Sequence, residues 1–176
     1  MNGGVVLDGL VAASERSRIR ARAAWRAASV AAVVVGLDQL TKHTIGTSIQ
    51  PGQVKTLIPG VLHLVNVRNT GVAFGVLSGG GVLIFALAFL ALSVLVTYVV
   101  ARPERPLLWL PTGMLVGGAV GNLIDRAALG SVIDFIKLPH WPAFNVADMS
   151  ITFGVIILVF VVEFTGRGGD GHGAEH

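Results

Sequence analysis

Two aspartates offer the most informative chemistry in this sequence, because each stands among apolar residues. Asp134 lies in the segment Val132–Phe135, and Asp148 lies just inside a long apolar segment, three residues after Asn145. Apolar burial raises the pKa of a carboxyl group, and two neighbouring carboxyl groups do not both ionise cheaply. One member of such a pair stays protonated and polarises a peptide carbonyl, while the other takes a proton from water. This is aspartic-protease chemistry, provided that the fold brings the two residues together.

Four further charged residues lie near the ends of apolar segments, where an ionisable side chain usually faces a partner or a cavity. They are Asp38, Lys42, Asp125 and Arg126. Asp38 and Lys42 are four residues apart on one helical face, in the order that favours a salt bridge. Asn122 and Arg126 share another helical face, and together they can hold a peptide carbonyl or a carboxylate. Simpler interpretations stay open: a salt bridge alone for the first pair, a snorkelling side chain for Arg126 and a helix cap for Asp148.

Most other catalytic chemistries lack their residue patterns here. Spacing alone leaves a Ser–Lys dyad open, although the outward serines Ser48, Ser78 and Ser131 have no obvious lysine partner. The chain has no cysteine, which excludes thiolate catalysis and disulfides. The histidines outside the C-terminal tail, His43, His63 and His140, lack metal-motif spacing, and neither a nucleophile elbow nor a nucleotide-binding motif occurs. We therefore expect neither a metal nor a cofactor. The net charge of +3 is explained by arginines near the N-terminus and gives no reason to expect a nucleic-acid partner.

The composition is that of an integral membrane protein. Apolar residues make up 53% of the chain and charged residues 13%, whereas a typical soluble domain is about 25% charged. A span needs roughly 20 largely apolar residues. Four segments fit this requirement: 27–45, 82–100, 107–125 and 147–164. Gly113, Gly117 and Gly121 repeat at every fourth position of the third segment, which indicates close helix packing or backbone exposed to a bound chain.

Basic residues set the expected orientation, because Lys and Arg concentrate on the cytoplasmic side. Five arginines precede the first predicted span, two lie between the second and third, and one lies in the C-terminal tail. This arrangement puts both termini inside and the stretches 46–81 and 125–147 outside. Residues 1–24 are predicted to be a mobile Arg-rich cytoplasmic extension, 25–165 a single integral-membrane domain, and 166–176 a flexible cytoplasmic tail. A cleavable signal peptide is disfavoured, because no small-residue cleavage site follows the first apolar run.

The first outer stretch predicts a small β-sheet instead of another span. Residues 57–67 are rich in β-branched and large apolar side chains, and Pro-Gly turn signals stand at 51–52 and 59–60. Sheet backbone is tolerated at a membrane surface where water or protein satisfies its hydrogen bonds. We therefore predict a mainly α membrane fold of four spans, with a small extracytoplasmic β-sheet in the region 50–77 and a further outer loop or helix.

The motifs, taken in order, resemble those of the bacterial lipoprotein signal peptidase, or signal peptidase II, family. The resemblance rests on five segments: Leu37–Lys42, Asn69–Gly75, Gly121–Arg126, Val132–Phe135 and Phe144–Asp148. It implies an aspartic endopeptidase of the bacterial cytoplasmic membrane with its active site at the outer face. Its substrates would be diacylglyceryl-modified prolipoproteins, cut just before the lipidated cysteine. No metal or cofactor is implied, and the cyclic peptide globomycin is the implied inhibitor.

The resemblance also implies roles for individual residues. The catalytic pair falls on Asp134 and Asp148, the two residues that the carboxyl chemistry selects. Substrate-binding or pair-orienting roles fall on Asn69, Gly71, Gly118, Asn122, Arg126, Asn145 and Ala147, and structural polar roles are expected for Asp38, Lys42 and Asp125. The family fold implies an outer β-cradle over 46–81 and a lid-like element over 125–147, and we expect a monomer in contact with membrane lipids.

Two other functions stay open from the sequence. Acidic residues in membrane helices also occur in proton-coupled transporters. Against this, the acids here stand at one edge of the spans, and no repeat relates residues 27–100 to 107–164. A non-enzymatic membrane scaffold would tolerate replacement of both Asp134 and Asp148.

Overall fold

The computed structural model describes residues 3–70, 97 and 107–166. The described helices are α1 (Gly3–Ser48), α2 (Trp109–Leu129) and α3 (Val146–Gly166), and the strands are β1 (Val54–Ile58), β2 (Leu62–Asn69) and β3 (Val132–Lys137). Helices α1 and α3 cover the predicted spans 27–45 and 147–164, and α2 covers the predicted span 107–125 except for its first two residues. The predicted span 82–100 lies outside the described residues, apart from Thr97.

Helix α1 is one uninterrupted helix of 46 residues, which corresponds to a length of about 69 Å. The segment 1–24, predicted as an extension, is helical from Gly3 and continues without a break into the predicted span. The sequence explains this continuity, since residues 10–35 contain neither Gly nor Pro and are rich in alanine. The predicted mobility of the extension remains a prediction.

Helix α2 packs closely against both of the other described helices, through glycine. A Cβ atom added at Gly113 would lie 2.6 Å from the Ala27 carbonyl oxygen of α1, and one added at Gly118 would lie 2.5 Å from the Ala147 carbonyl oxygen of α3. The predicted close packing of the glycine stripe is therefore confirmed. The helix ends at Gly130, which has φ of 68° and donates its N–H to the Arg126 carbonyl, as a left-handed cap requires.

The strands form an antiparallel sheet in the order β1–β2–β3. Strands β1 and β2 fall within the predicted β region 50–77, whose last residues lie outside the described part of the chain. Strand β3 was not expected, because residues 132–137 fall in the stretch predicted to be an outer loop or helix. It pairs with β2 so that Val67 faces Asp134 and Asn69 faces Val132. A bulge between Leu64 and Val67 interrupts this pairing.

The sheet rests on the C-terminal end of α1. The buried contact consists of Ile45, Ile49 and Phe135, with Leu64, Ile136 and Val146 packed around it. Another part of the sheet forms an open groove of about 370 Å³, lined by Val54, His63, Val65, Val67, Lys137 and Ala143. The sheet therefore fixes β3 beside the ends of α1, α2 and α3.

Two of the described helices contain a stretch long and apolar enough to cross a membrane: Leu7–Ser48 in α1 and Val146–Glu163 in α3. Large apolar side chains of α3 point outward, including Phe153, Val159 and Phe160. Such a surface suits contact with lipid tails. The predicted four spans, with both termini inside, remain a prediction.

Candidate active site

Strand β3 holds Asp134 at the edge of the helices. Its side chain is buried and accepts two amide hydrogen bonds, from Asn69 Nδ2 at 2.9 Å and from Asn145 Nδ2 at 2.8 Å. Burial raises the pKa of the Asp134 carboxyl above its ordinary value, and the nearby charge of Asp148 raises it further. The bonds from the two asparagines act in the opposite direction, because they favour the charged form.

The first turn of α3 holds Asp148, through a reciprocal cap with Asn145. The Asp148 N–H donates to Asn145 Oδ1 at 2.9 Å, and the Asn145 N–H donates to Asp148 Oδ2 at 3.2 Å. This is the capping-box arrangement, so Asp148 does act as a cap residue. Its other oxygen, Oδ1, accepts from Asn122 Nδ2 at 2.8 Å. Asp148 is half-buried, so capping does not hide it from solvent.

Asn145 links the two aspartates and has no exposed surface. Its side-chain Nδ2 donates to Asp134, and its backbone N–H donates to Asp148. The structure therefore brings together the two acids that the sequence analysis singled out. Asn69 and Asn122 complete the cluster, each with a bond to one carboxylate.

A buried ion network lies next to this cluster. Lys42 Nζ is 2.7 Å from Asp38 Oδ2 and 3.0 Å from Asp125 Oδ2. Asp38 also accepts the N–H of Ala147 at the start of α3, and Asp125 accepts the N–H of Ile133 in β3. The predicted salt bridge between Asp38 and Lys42 is thus present, within a network that connects α1, α2, α3 and β3.

Lys42 and Asn145 both fix the orientation of the Asn122 amide, since Asn145 Nδ2 also donates to Asn122 Oδ1, at 3.2 Å. The ammonium donates to Asn122 Oδ1 at 3.0 Å, and an ammonium has no acceptor. The amide oxygen must therefore face Lys42, which leaves the NH₂ group facing Asp148. With the amide reversed, its NH₂ group would face the Lys42 ammonium, which is also a donor. Its oxygen would then face the Asp148 carboxylate, which is also an acceptor.

The remaining predicted residues take different positions. A Cβ atom at Gly121 would lie 2.6 Å from Asp38 Oδ2, so this glycine admits the buried carboxylate. Arg126 Nη1 donates to the Asn122 carbonyl at 3.3 Å. Gly71 lies outside the described residues. Gln39 was not predicted to be a site residue, yet its Nε2 donates to Asp38, Asp125 and the Gly121 carbonyl. Its position next to Asp38 in the sequence could have indicated this role.

Within the described part of the chain, no group of three or more His, Cys, Asp or Glu side chains is placed to hold a metal ion. Lys42 supplies the positive charge between Asp38 and Asp125. The expectation of a metal-free, cofactor-free site remains a prediction.

The fold is that of a bacterial membrane protein. A bacterial membrane enzyme solved by the in meso method at 2.3 Å superposes with a TM-score of 0.73 and 31% identity, over 85% of this chain and 94% of that one. The sequence profile described as "Signal peptidase (SPase) II" matches residues 30–164. The chain belongs to the signal peptidase II family, as the motifs predicted, and it is a peptidase.

Relatives at higher identity carry a more specific name. The lipoprotein signal peptidase of Moorella thermoacetica is 45% identical over 130 residues, which cover 73% of this chain and 87% of the relative. That of Syntrophomonas wolfei is 44% identical over 135 residues, which cover 77% of this chain and 91% of the relative.

Proposed function

We propose that this chain is an aspartic endopeptidase that removes the signal peptides of diacylglyceryl-modified prolipoproteins, with Asp134 and Asp148 as its catalytic pair. The observation that carries the proposal is the double contact of Asn145, whose side chain binds one aspartate and whose backbone binds the other. Membership of the signal peptidase II family and the names of the relatives support the substrate class.

The mechanism follows from the surroundings of each carboxyl group. Asp134, whose pKa is raised by burial, holds the proton and donates a hydrogen bond to the scissile carbonyl. Asp148, half-buried and within reach of solvent, is the carboxylate that takes a proton from water. The water oxygen adds to the carbonyl carbon and the peptide C–N bond then breaks, while Asp148 passes the proton that it took from water to the nitrogen of the departing cysteine. The lipidated chain leaves with a new amino terminus and the signal peptide with a new carboxylate.

The substrate fits the position of the pair at the start of α3. Asp148 lies in the first turn of a helix whose stretch Val146–Glu163 is apolar enough to cross a membrane. The acyl chains of a lipidated cysteine stay in the bilayer, which would hold the scissile bond at the membrane surface. The proposal therefore includes four spans of the cytoplasmic membrane, both termini on its cytoplasmic side and an active site at its outer face. It also includes contact with surrounding lipids and a monomeric protein.

The test is cleavage by purified protein in lipid, followed as a gel shift. A diacylglyceryl-modified prolipoprotein should lose its signal peptide, the unmodified precursor should not, and globomycin should block the reaction. Asp134→Asn and Asp148→Asn should each abolish cleavage while the protein still inserts. Failure of the well-folded unaltered protein to cleave would reject the substrate, whereas cleavage by either variant would reject the catalytic pair alone. The transporter and scaffold alternatives are not favoured by the family assignment.

A further inference from the structure

Five arginines form a basic collar on the N-terminal half of α1: Arg16, Arg18, Arg20, Arg22 and Arg26. All five are exposed, and no acidic residue lies among them. The collar precedes residue 30, where the match to the family profile begins. The proposed peptidase function therefore assigns no role to it.

The collar occupies two opposite sides of the helix. Successive residues of an α-helix are turned by about 100°, so Arg18 and Arg22 stand on one side while Arg16 and Arg20 stand on the other. Arg26 lies about 80° from Arg18. A protein or nucleic-acid partner would approach one face of a helix, whereas a layer of lipid headgroups surrounds a helix that passes through it.

The collar also lies at a defined depth relative to the predicted first span. Residues 27–45 give a span of roughly 28 Å, close to the hydrocarbon thickness of about 30 Å. Just before it, Trp25 is 75% exposed, and the Arg26 guanidinium lies 5.7 Å from the ring centre of Trp109. Trp and Arg together are typical of the membrane interface. The other four arginines precede Arg26 and lie within about 15 Å of it along the helix axis.

We propose that the collar binds the phosphate groups of anionic phospholipids, in the leaflet on the opposite side from Asp134 and Asp148. The guanidinium group pairs well with phosphate oxygens, and a cluster of basic residues beside a span is attracted by an anionic membrane surface. Because α1 is unbroken from the collar to Asp38 and Lys42, the bound lipids would also hold the buried ion network at a constant depth. This inference does not depend on the catalytic pair.

The test uses tryptophan quenching in full-length protein with Trp141→Phe, so that Trp25 and Trp109 report from beside the collar. The protein in detergent is titrated with phosphatidylglycerol or phosphatidylcholine, each with brominated acyl chains that quench on contact. We expect half-maximal quenching at roughly tenfold less phosphatidylglycerol than phosphatidylcholine, with the difference removed by salt. Equal quenching by the two lipids at low salt would overturn the proposal.

Two matched variants replace the other four arginines and retain Arg26, which contacts the ring of Trp109. Arg16→Gln, Arg18→Gln, Arg20→Gln and Arg22→Gln together should remove the preference for phosphatidylglycerol. Lysine at the same four positions should keep it, because Lys and Arg are both attracted by the negative potential of an anionic membrane surface. Persistence in the Gln variant or loss in the Lys variant would overturn the proposal. If the Gln variant does not fold, the Lys variant and the salt titration still test whether the collar binds anionic lipid.

A competition experiment distinguishes binding of a lipid surface from binding of a free anion. Inorganic phosphate at millimolar concentration should leave quenching by phosphatidylglycerol unchanged at matched ionic strength. Displacement of the lipid by phosphate would make the collar a soluble-anion site and would overturn the lipid assignment.

Discussion

Lys42 and Asn122 are joined by a buried hydrogen bond in which the ammonium Nζ donates to the amide Oδ1 at 3.0 Å. The bond leaves the amide NH₂ group to donate to Asp148 Oδ1 at 2.8 Å. A lysine of α1 thus orients a donor of α2 toward an acid of α3. The salt bridge between Lys42 and Asp38 and a member of the proposed catalytic pair are thus connected through one amide.

Replacement of Lys42 should therefore affect cleavage through Asn122. We expect Lys42→Met to lower kcat by roughly 10²-fold, the scale of losing one oriented donor, and to lower Tm because Asp38 and Asp125 lose their counter-charge. In an Asn122→Ala background, the same change should lower kcat little further. Gln39→Met is the matched control, because Gln39 contacts both acids but not Asn122; it should lower Tm while kcat holds. Equal kcat losses from Lys42→Met in both backgrounds would contradict the link.

The two acids should each be indispensable. Asp134→Asn and Asp148→Asn preserve shape but remove the ionisable group, and we expect kcat to fall at least about 10⁴-fold. Asp8→Asn, an exposed acid on the same chain, is the control and should cleave normally. Cleavage rates at equal amounts of inserted protein make the comparison. A variant at Asp134 or Asp148 with near-normal kcat would remove that residue from the proposed pair.

The raised pKa of Asp134 predicts a pH effect on stability. Burial lifts this pKa above its ordinary value of 3.8, so the folded protein binds the proton more tightly than the unfolded chain. The resulting stability is fully present below pH 3.8 and is lost as pH rises through the folded pKa. Asp134→Asn, which does not titrate, should lack this decline. Tm measured against pH in both proteins tests it, and parallel curves would contradict the assignment.

Loss of Asp38 should damage folding more than chemistry. Asp38→Ala removes a partner of Lys42 and the acceptor of the Ala147 N–H, and breaking such a buried pair costs about 3–5 kcal/mol. Lys42 keeps Asp125 and Asn122, so the orientation of Asn122 survives. We expect low yield and a lower Tm, with kcat per folded molecule far above that of Asp148→Asn. A stable but inactive Asp38→Ala protein would give Asp38 a catalytic role.

The sequence predicted the acids of the site better than the elements that hold them. Apolar surroundings identify Asp134 and Asp148, and residues four apart identify Asp38 with Lys42. Strand β3 was not predicted, although Val132, Ile133, Phe135 and Ile136 are residue types that favour strands. A short apolar run does not by itself show which strand it pairs with. The contact between Lys42 and Asn122 joins residues 80 apart in the chain, and no local pattern encodes it.

Replacement of Gly118 should slow cleavage only by displacing the backbone of α3, which carries Asp148. A Cβ atom there would lie 2.5 Å from the Ala147 carbonyl oxygen and 2.8 Å from Ile151 Cγ1. Gly118→Ala must therefore move α3 away from α2, and Asp148 moves with it. Since a displacement of about 1 Å at a reacting group can cost 10²-fold in rate, we expect kcat to fall by about that factor and Tm to fall as well.

Gly36→Ala is the matched control for this prediction, because no atom of the described residues lies within 4 Å of the Cβ that it adds to α1. In a helix, alanine is favoured over glycine by roughly 0.5–1 kcal/mol, so Tm should hold or rise and kcat should stay unchanged. Cleavage assays and thermal melts of the two variants, side by side, separate the general effect of an added methyl group from the contact with Ala147. Normal kcat in Gly118→Ala would show that Asp148 tolerates a shifted α3, and the pair would then be held mainly through Asn145 and Asn122.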